Sequence, residues 1–433
     1  MKKRTLIAAC LLAGMSVNAQ NFSSGIDKKN MNLNVKPGTD FYQYAAGGWL
    51  KSHPLDAEHT SNGAFVDLFE ENQKRIQELI LEYASKPQQQ GTLGQKLGSL
   101  YNMMMDSVRL NREGWAPLKP TLARIAAIKN NKEYQVVTAQ LDRHGENTMM
   151  YGIGVGADMR NASMNIVSIG QGGLGMGTRD YYLNDDPQTV KVREAYKTYM
   201  KNLFKMVGND EATAAKKVEA IMAIETRIAK ASYSNVQLRD IDKNYHKMSY
   251  NELVLNFPGI DWGNVFLQTG FPPFDAVDVG QPEPIHEVEK ILAETKLDDL
   301  KAYAEIKVIS GASSQLSDAF RAESFKYNSV VSGAQQDRPR WKRAVGTVSN
   351  VFGEAVGKLY VEKYFPESSK QRMIELVKNL QEALAQRIQE ATWMSAETKA
   401  QAKDKLDNFI VKIGYPDKWR DYSGLQIDEK LSL

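Results

Sequence analysis

His286-Glu287-Val288-Glu289-Lys290 begins like the zinc-holding helix His-Glu-x-x-His, in which imidazoles at i and i+4 share one face and one ion. Position 290 is a lysine, a cation that would repel zinc. The remaining histidines, His53, His59, His144 and His246, have no paired spacing and read as surface or hydrogen-bonded residues. The residues therefore give this chain neither a metal ligand set nor a catalytic residue of its own.

Two glycine patterns imitate phosphate cradles. Gly170-Gln171-Gly172-Gly173-Leu174-Gly175 matches G-x-G-x-x-G, but a dinucleotide site needs a helix opening directly behind it. Met176-Gly177-Thr178-Arg179 is a poor helix start, so the segment reads as a turn with closely approaching backbone. Gly353-Glu354-Ala355-Val356-Gly357-Lys358-Leu359 is one residue short of a P-loop and lacks the Ser/Thr that holds magnesium. No serine or cysteine nucleophile has a recognisable local frame. Met103-Met104-Met105 reads as a helix turn with buried flanks.

The start of the chain reads as an export signal. Lys2, Lys3 and Arg4 precede the short apolar run Leu6 to Met15, and Val17-Asn18-Ala19 offers small residues for cleavage after Ala19. Cys10, the single cysteine, has lipobox-like neighbours in Ile7-Ala8-Ala9, which leaves lipoprotein processing as the alternative. No stretch approaches twenty apolar residues, so no transmembrane segment is expected. The formal charge of +3 belongs to Lys2, Lys3 and Arg4. A mature chain without net charge gives no electrostatic reason to expect nucleic acid as a partner. Without a further cysteine it must be stable through packing alone.

The elements that position these residues are mostly helical. Phe65, Leu68, Phe69, Ile76, Leu79, Ile80 and Tyr83 follow the amphipathic period, and the polar connector 86–91 ends that helix. Helical patterns recur near 93–110, 117–128, 132–143, 187–207, 210–232, 298–323, 341–363, 369–391 and 395–409. Met150 to Val155 and Met164 to Ile169, around a turn at 158–161, predict a β-hairpin. The proline-rich stretch 256–288 predicts a surface excursion or subdomain connector. The fold class is thus mainly α, a large multi-helix domain with a small inserted β-hairpin.

Several segments in order resemble the M13 metallopeptidases, the neprilysin and PepO-like oligopeptidases. They are Val35-Lys36-Pro37-Gly38-Thr39-Asp40-Phe41-Tyr42 through Trp49-Leu50; Gln171 to Gly175 with Arg179-Asp180-Tyr181-Tyr182-Leu183; and Arg239-Asp240 with Tyr245. Later come Gly353 to Val361, Trp393-Met394-Ser395-Ala396-Glu397-Thr398-Lys399, and Lys412-Ile413-Gly414-Tyr415-Pro416-Asp417-Lys418-Trp419. After the signal peptide read at 1–19, the resemblance implies a segment at 20–60 leading toward the catalytic-domain junction. It further implies a helical capping domain at 61–412 and the start of the catalytic-domain connection at 413–433.

It also implies an exported bacterial zinc metalloendopeptidase, periplasmic or extracellular, that hydrolyses peptides in a closed chamber. The family's His-Glu-x-x-His helix and other catalytic groups lie after Leu433. Zinc is therefore expected in a full-length enzyme and not on this chain, whose partners are peptide substrates and its own missing catalytic domain. In the Gly-x-Phe loop Ser61-Asn62-Gly63-Ala64-Phe65, the resemblance makes Asn62, Gly63 and Phe65 substrate-binding residues. Ser61 stands where neprilysin-like enzymes carry an arginine for the substrate's C-terminal end, and a hydroxyl cannot pair bidentately with a carboxylate. Endopeptidase behaviour fits better. The alternative is a non-catalytic exported peptide-binding protein. With the catalytic lobe absent, Phe41, Tyr42, Tyr44, Trp49, Tyr415, Trp419 and Tyr422 are expected to leave an apolar surface uncovered.

Overall fold

The computed structural model describes residues 25–429, so the expected export signal at 1–19, Cys10 and the last four residues lie outside the described residues. The chain divides into two compact units, Met1–Phe65 and Val66–Leu433.

In the first unit, helix α1 (Phe41–Ser52) is capped by the Asp40 carboxylate, which accepts from the Gln43 N–H at 2.9 Å. The backbone of 28–32 runs hard against it. A Cβ on Gly48 would collide with the Lys29 carbonyl, and Asn32 N–H donates to the Tyr44 carbonyl at 2.9 Å. That contact is the physical reason for glycine within Ala45-Ala46-Gly47-Gly48. This helix has no counterpart among the periodic patterns.

The second unit begins within α2 (Ala64–Ala84) and continues through α3 (Leu93–Met105), α4 (Ser107–Glu113), α5 (Lys119–Ala126) and α6 (Asn131–Arg143). The pattern at 93–110 is two helices, because Asp106 ends α3 and caps α4 by accepting from the Arg109 N–H at 2.9 Å. Strands β1 (Tyr151–Asp158) and β2 (Asn161–Gln171) form the expected antiparallel hairpin. There follow α7 (Asp180–Leu183), α8 (Pro187–Met206), α9 (Glu211–Ala231), β3 (Lys247–Ser249), α10 (Tyr250–Asn256), α11 (Trp262–Thr269), β4 (Ala276–Val279) and α12 (Pro282–Glu294). The unit closes with α13 (Leu297–Ala312), α14 (Asp318–Ser332), α15 (Arg340–Tyr364), α16 (Glu367–Glu390) and α17 (Ala396–Asp407). The single helix predicted over 298–323 is broken between α13 and α14, where the hydroxyls of Ser313, Ser324 and Tyr199 bond one another inside the protein.

The stretch 256–288 is neither a surface excursion nor a connector between subdomains. It supplies α11, β4 and the start of α12, and buries Trp262, Phe266, Val277, Val279 and Ile285. Its prolines fall where no N–H is needed, Pro282 and Pro284 in the first turn of α12. The hairpin is accordingly part of a four-stranded sheet in the order β1-β2-β4-β3, with β4 parallel to β2 through Val167↔Val277 and Ile169↔Val279. The main core joins this sheet to α8, α9, α12 and α13. A second cluster (Ile80, Leu97, Val345, Val348 and Phe352) joins α2, α3 and α15.

None of the seven aromatics expected at the uncovered surface is buried. Phe41 and Tyr42 are exposed, whereas Tyr415, Trp419 and Tyr422 are half-buried against the helical body. A bare apolar stripe lies where it was not expected. Helix α16 buries no residue and exposes Met373, Leu376, Leu380 and Leu384 along one face, with Trp393 exposed just beyond. No helix among the described residues is long and apolar enough to cross a membrane.

Candidate functional site

The glycine-rich segment after β2 is built into the interior. Gly173 has φ +82°, and a Cβ there would crowd the Tyr303 hydroxyl and the Met150 backbone. A Cβ at Gly175 would overlap the Tyr196 hydroxyl. Behind the loop, the fully buried carboxylate of Glu225 accepts from Tyr182 Oη at 2.7 Å, Lys307 Nζ at 2.8 Å and the Gly175 N–H at 3.2 Å. Lys307 Nζ and Tyr303 Oη each donate to the Gly173 carbonyl at 2.8 Å. Burial, reinforced by the Glu225 charge, pushes the Tyr182, Tyr196 and Tyr303 hydroxyls well above the usual tyrosine range. They stay neutral donors. The Gly175 N–H and the Gly173 carbonyl are thus spent on the protein's own interior, and the crowding at Gly173 and Gly175 accounts for glycine at those two positions without any phosphate. Glu225 was legible as a buried acid on the core stripe of α9, between Ile221 and Ile228.

The Arg239 to Tyr245 landmark fixes the far end of the hairpin. Tyr245 Oη and Lys247 Nζ donate to the Asp158 carboxylate at 2.8 and 2.7 Å, and the Arg160 N–H does so at 2.9 Å. The Lys247 bond chiefly holds the Asp158 carboxyl down at about 2. At the other end, the Gln171 carboxamide accepts from the Tyr233 N–H at 2.7 Å and donates to the Tyr233 carbonyl at 3.2 Å, as a neighbouring strand would.

The loop carrying the expected substrate-binding residues lies at the end of the first unit. Ser61 is exposed, Asn62 Nδ2 donates to the His53 carbonyl, Gly63 has open space around it, and Phe65 is 89% exposed. His53 itself stacks on Trp49 with ring centres 4.5 Å apart.

Four of the histidines serve local structure, while His144 is exposed. His59 Nδ1 bonds Asp56, His246 Nδ1 bonds the Val279 carbonyl, and His286 lies on Phe257 with Nδ1 bonded to Glu289. On α12, the i+4 position from His286 is Lys290, whose Nζ lies 3.9 Å from Glu287. The paired imidazoles of a His-Glu-x-x-His zinc site are not supplied by these residues, and no reaction step is routed through a metal on this chain.

The densest landmarks meet around α15. Gly353 to Val361 is helical, as its rejection as a P-loop required. Segment 415–429 folds back over it, with the Arg420 N–H donating to the Glu354 carboxylate at 2.7 Å. Lys96, almost wholly buried, holds the Tyr422 and Ser423 carbonyls at 2.8 and 3.0 Å.

The sequence profile of peptidase family M13 matches residues 37–416. The chain belongs to peptidase family M13. It is 31% identical to endothelin-converting enzyme 1 of Mus musculus over 406 residues, which cover 89% of this chain and 51% of that enzyme. Among solved structures, it superposes on the zinc metalloprotease ZMP1 of Mycobacterium tuberculosis in complex with an inhibitor, with TM-score 0.88 and 33% identity over 94% of this chain and 62% of that one. PepO from Lactobacillus rhamnosis shares the fold with TM-score 0.79, at 20% identity over 92% of this chain and 62% of that one. The M13 chain described here thus spans about half the length of the curated relatives it matches.

Proposed function

We propose that this chain is the N-terminal helical part of an exported M13 zinc metalloendopeptidase, and that it encloses peptides without cutting them by itself. The observation carrying this reading is the family match across 37–416 in a chain with no two histidines at i,i+4 spacing. The coverage of about half of each curated relative supports a further part that brings the zinc helix. The bare stripe on α16 supports a missing neighbour, because four large apolar side chains on one face gain stability only when covered. When bound in that further part, zinc would supply Lewis-acid activation of water. The residues of this chain would shape and close the chamber, excluding folded proteins by size.

Within that reading, Asn62, Gly63 and Phe65 line the substrate side. Ser61, without a cation, leaves the substrate's C-terminal end unanchored there, which favours cleavage within a chain. Residues 1–19 direct export to a bacterial periplasm or exterior, with cleavage after Ala19. The second reading, a non-catalytic exported peptide-binding protein, shares the enclosure and lacks the hydrolytic part.

The test is to read the gene beyond codon 433 and assay its product on an internally quenched peptide. Residues 20–433 alone should hold no stoichiometric zinc by elemental analysis and release no fluorescence, while the longer product should cleave. One tightly held zinc per copy of residues 20–433 would overturn the proposal, and a gene ending at 433 would favour the binding-protein reading.

A further inference from the structure

Strand β1 is the edge of its sheet, and among the described residues nothing pairs with its outer side. Alternate residues of such a strand turn their N–H and C=O groups outward, and natural edges are blunted by charge, proline or a covering element. β1 reads Tyr151-Gly152-Ile153-Gly154-Val155-Gly156-Ala157-Asp158, with no charge before its last residue. Its three glycines alternate and so share one face.

Nothing inside the protein requires them. None has a positive φ. A Cβ at Gly152 or Gly156 would meet no atom within 4 Å, and one at Gly154 would lie 3.5 Å from the Ser168 hydroxyl, an ordinary contact. Gly173 and Gly175, a few residues away in space, are by contrast forced by their neighbours. Glycine weakens a strand, and in strands it marks places where another backbone approaches closely.

At the Tyr151 end of β1 opens a cavity of about 440 Å³, lined among others by Gly152, Gly173, Asp142, Arg143 and Phe271. The Asp142 carboxylate is engaged, accepting from the Thr148 hydroxyl at 2.8 Å and the Met149 N–H at 3.2 Å. The Arg143 guanidinium lies against Gly270 and has no hydrogen bond or ion pair among the described residues. The uncommitted charge in the cavity is therefore positive.

We propose that β1 takes up an extended peptide as an added antiparallel strand, with the peptide's C-terminal carboxylate seated against Arg143. The antiparallel direction places that carboxylate at the Tyr151 end, where the guanidinium stands, and an Arg–carboxylate pair adds charge-assisted hydrogen bonds. Main-chain bonding gives affinity independent of sequence. The bare glycine face leaves room beside every second peptide side chain, so bulky residues fit. Eight residues of strand run about 26 Å. This deepens the peptide-handling reading above and rests on it.

The probe is a fluorescein-labelled octapeptide of alternating threonine and valine, made as the free acid, the C-terminal amide, and an acid N-methylated at every second residue. With residues 20–433, the free acid should bind by anisotropy and slow deuterium exchange in 151–158. Amidation and Arg143→Ala should each weaken binding about tenfold and should not add to one another. N-methylation should abolish binding. Equal binding of the N-methylated peptide, or protection confined to other segments, overturns the proposal. So do indifference to both amidation and R143A, and β1 amides already protected in a dimer of this chain. Because the peptide variants leave the protein unaltered, the result does not hang on R143A folding. Hydrolysis is not read here, so failure of this binding leaves the peptidase reading standing, and failure of cleavage by the longer product leaves this binding intact.

Discussion

The backbone N–H of Glu354 donates to the Tyr422 hydroxyl at 3.2 Å, at the point where helix α15 bends. Phe352 departs from helical geometry (φ −116°, ψ 32°), and the tyrosine enters beside it with ring centres 5.4 Å apart. Kinks of this kind arise where a side chain inserts into the helical hydrogen-bond ladder. A residue far along the chain thus completes a helix that is imperfect on its own.

Tyr422→Phe keeps the ring packing and removes only the acceptor, so it should cost about 1 kcal/mol in urea unfolding. Tyr422→Ala should cost about 3 kcal/mol by losing the ring as well. Equal stability of Y422F and the parent would show that the Glu354 bond contributes nothing.

The Glu225–Lys307 pair should behave as a buried charge pair. Glu225→Gln leaves Lys307, whose side chain is 12% exposed, without its counter-ion, and should lower stability by about 3 kcal/mol. Adding Lys307→Met should recover part of that loss. A double variant less stable than E225Q would refute this account.

Stability at low pH should report on Asp158. Its folded carboxyl is held at about 2 by Lys247, the Arg160 N–H and Tyr245, below the ordinary carboxylate range. The stabilisation is therefore complete above about pH 4 and fades as pH falls toward 2. Lys247→Met removes the largest cause, so its unfolding midpoint should fall less steeply than the parent's between pH 4 and 2. Parallel pH profiles would exclude Asp158 as a contributor to acid unfolding.

Gly175→Ala should be among the worst small changes in the protein, costing about 3 kcal/mol through overlap with Tyr196. Gly152→Ala, with open space around it, should fold normally. Comparable thermal melts for the two variants would contradict the packing described here.

Long amphipathic helices such as α2, α8 and α9 were legible because their apolar period depends on one face meeting one core. The break at Asp106 was not, since a capping aspartate interrupts the backbone without disturbing the apolar period. Strand β4 was hidden for another reason. Its four residues pair with β2 across more than a hundred positions, and no local pattern carries that information. The glycines at 172–175 could be read as a close backbone approach, but not that Tyr196, Tyr303 and Glu225 are what approaches. The proposed substrate loop at 61–65 came from family resemblance alone. The β1 glycines, visible in the sequence, gained meaning only when the space around them proved empty.

Asn62, tied to the His53 carbonyl, is followed by a glycine with open space around it. That pairing gives the loop a chemical lifetime. An asparagine side chain cyclises most readily onto the amide of a following glycine, where no Cβ obstructs the ring. Here cyclisation must first release the carboxamide from His53. Once ammonia is lost and the ring reopens, the donor is gone and an anion faces the carbonyl oxygen it used to bind. Aged protein would then carry a negative charge beside Ser61 in a loop that began neutral, so stored and fresh preparations would differ at the loop assigned here to substrate.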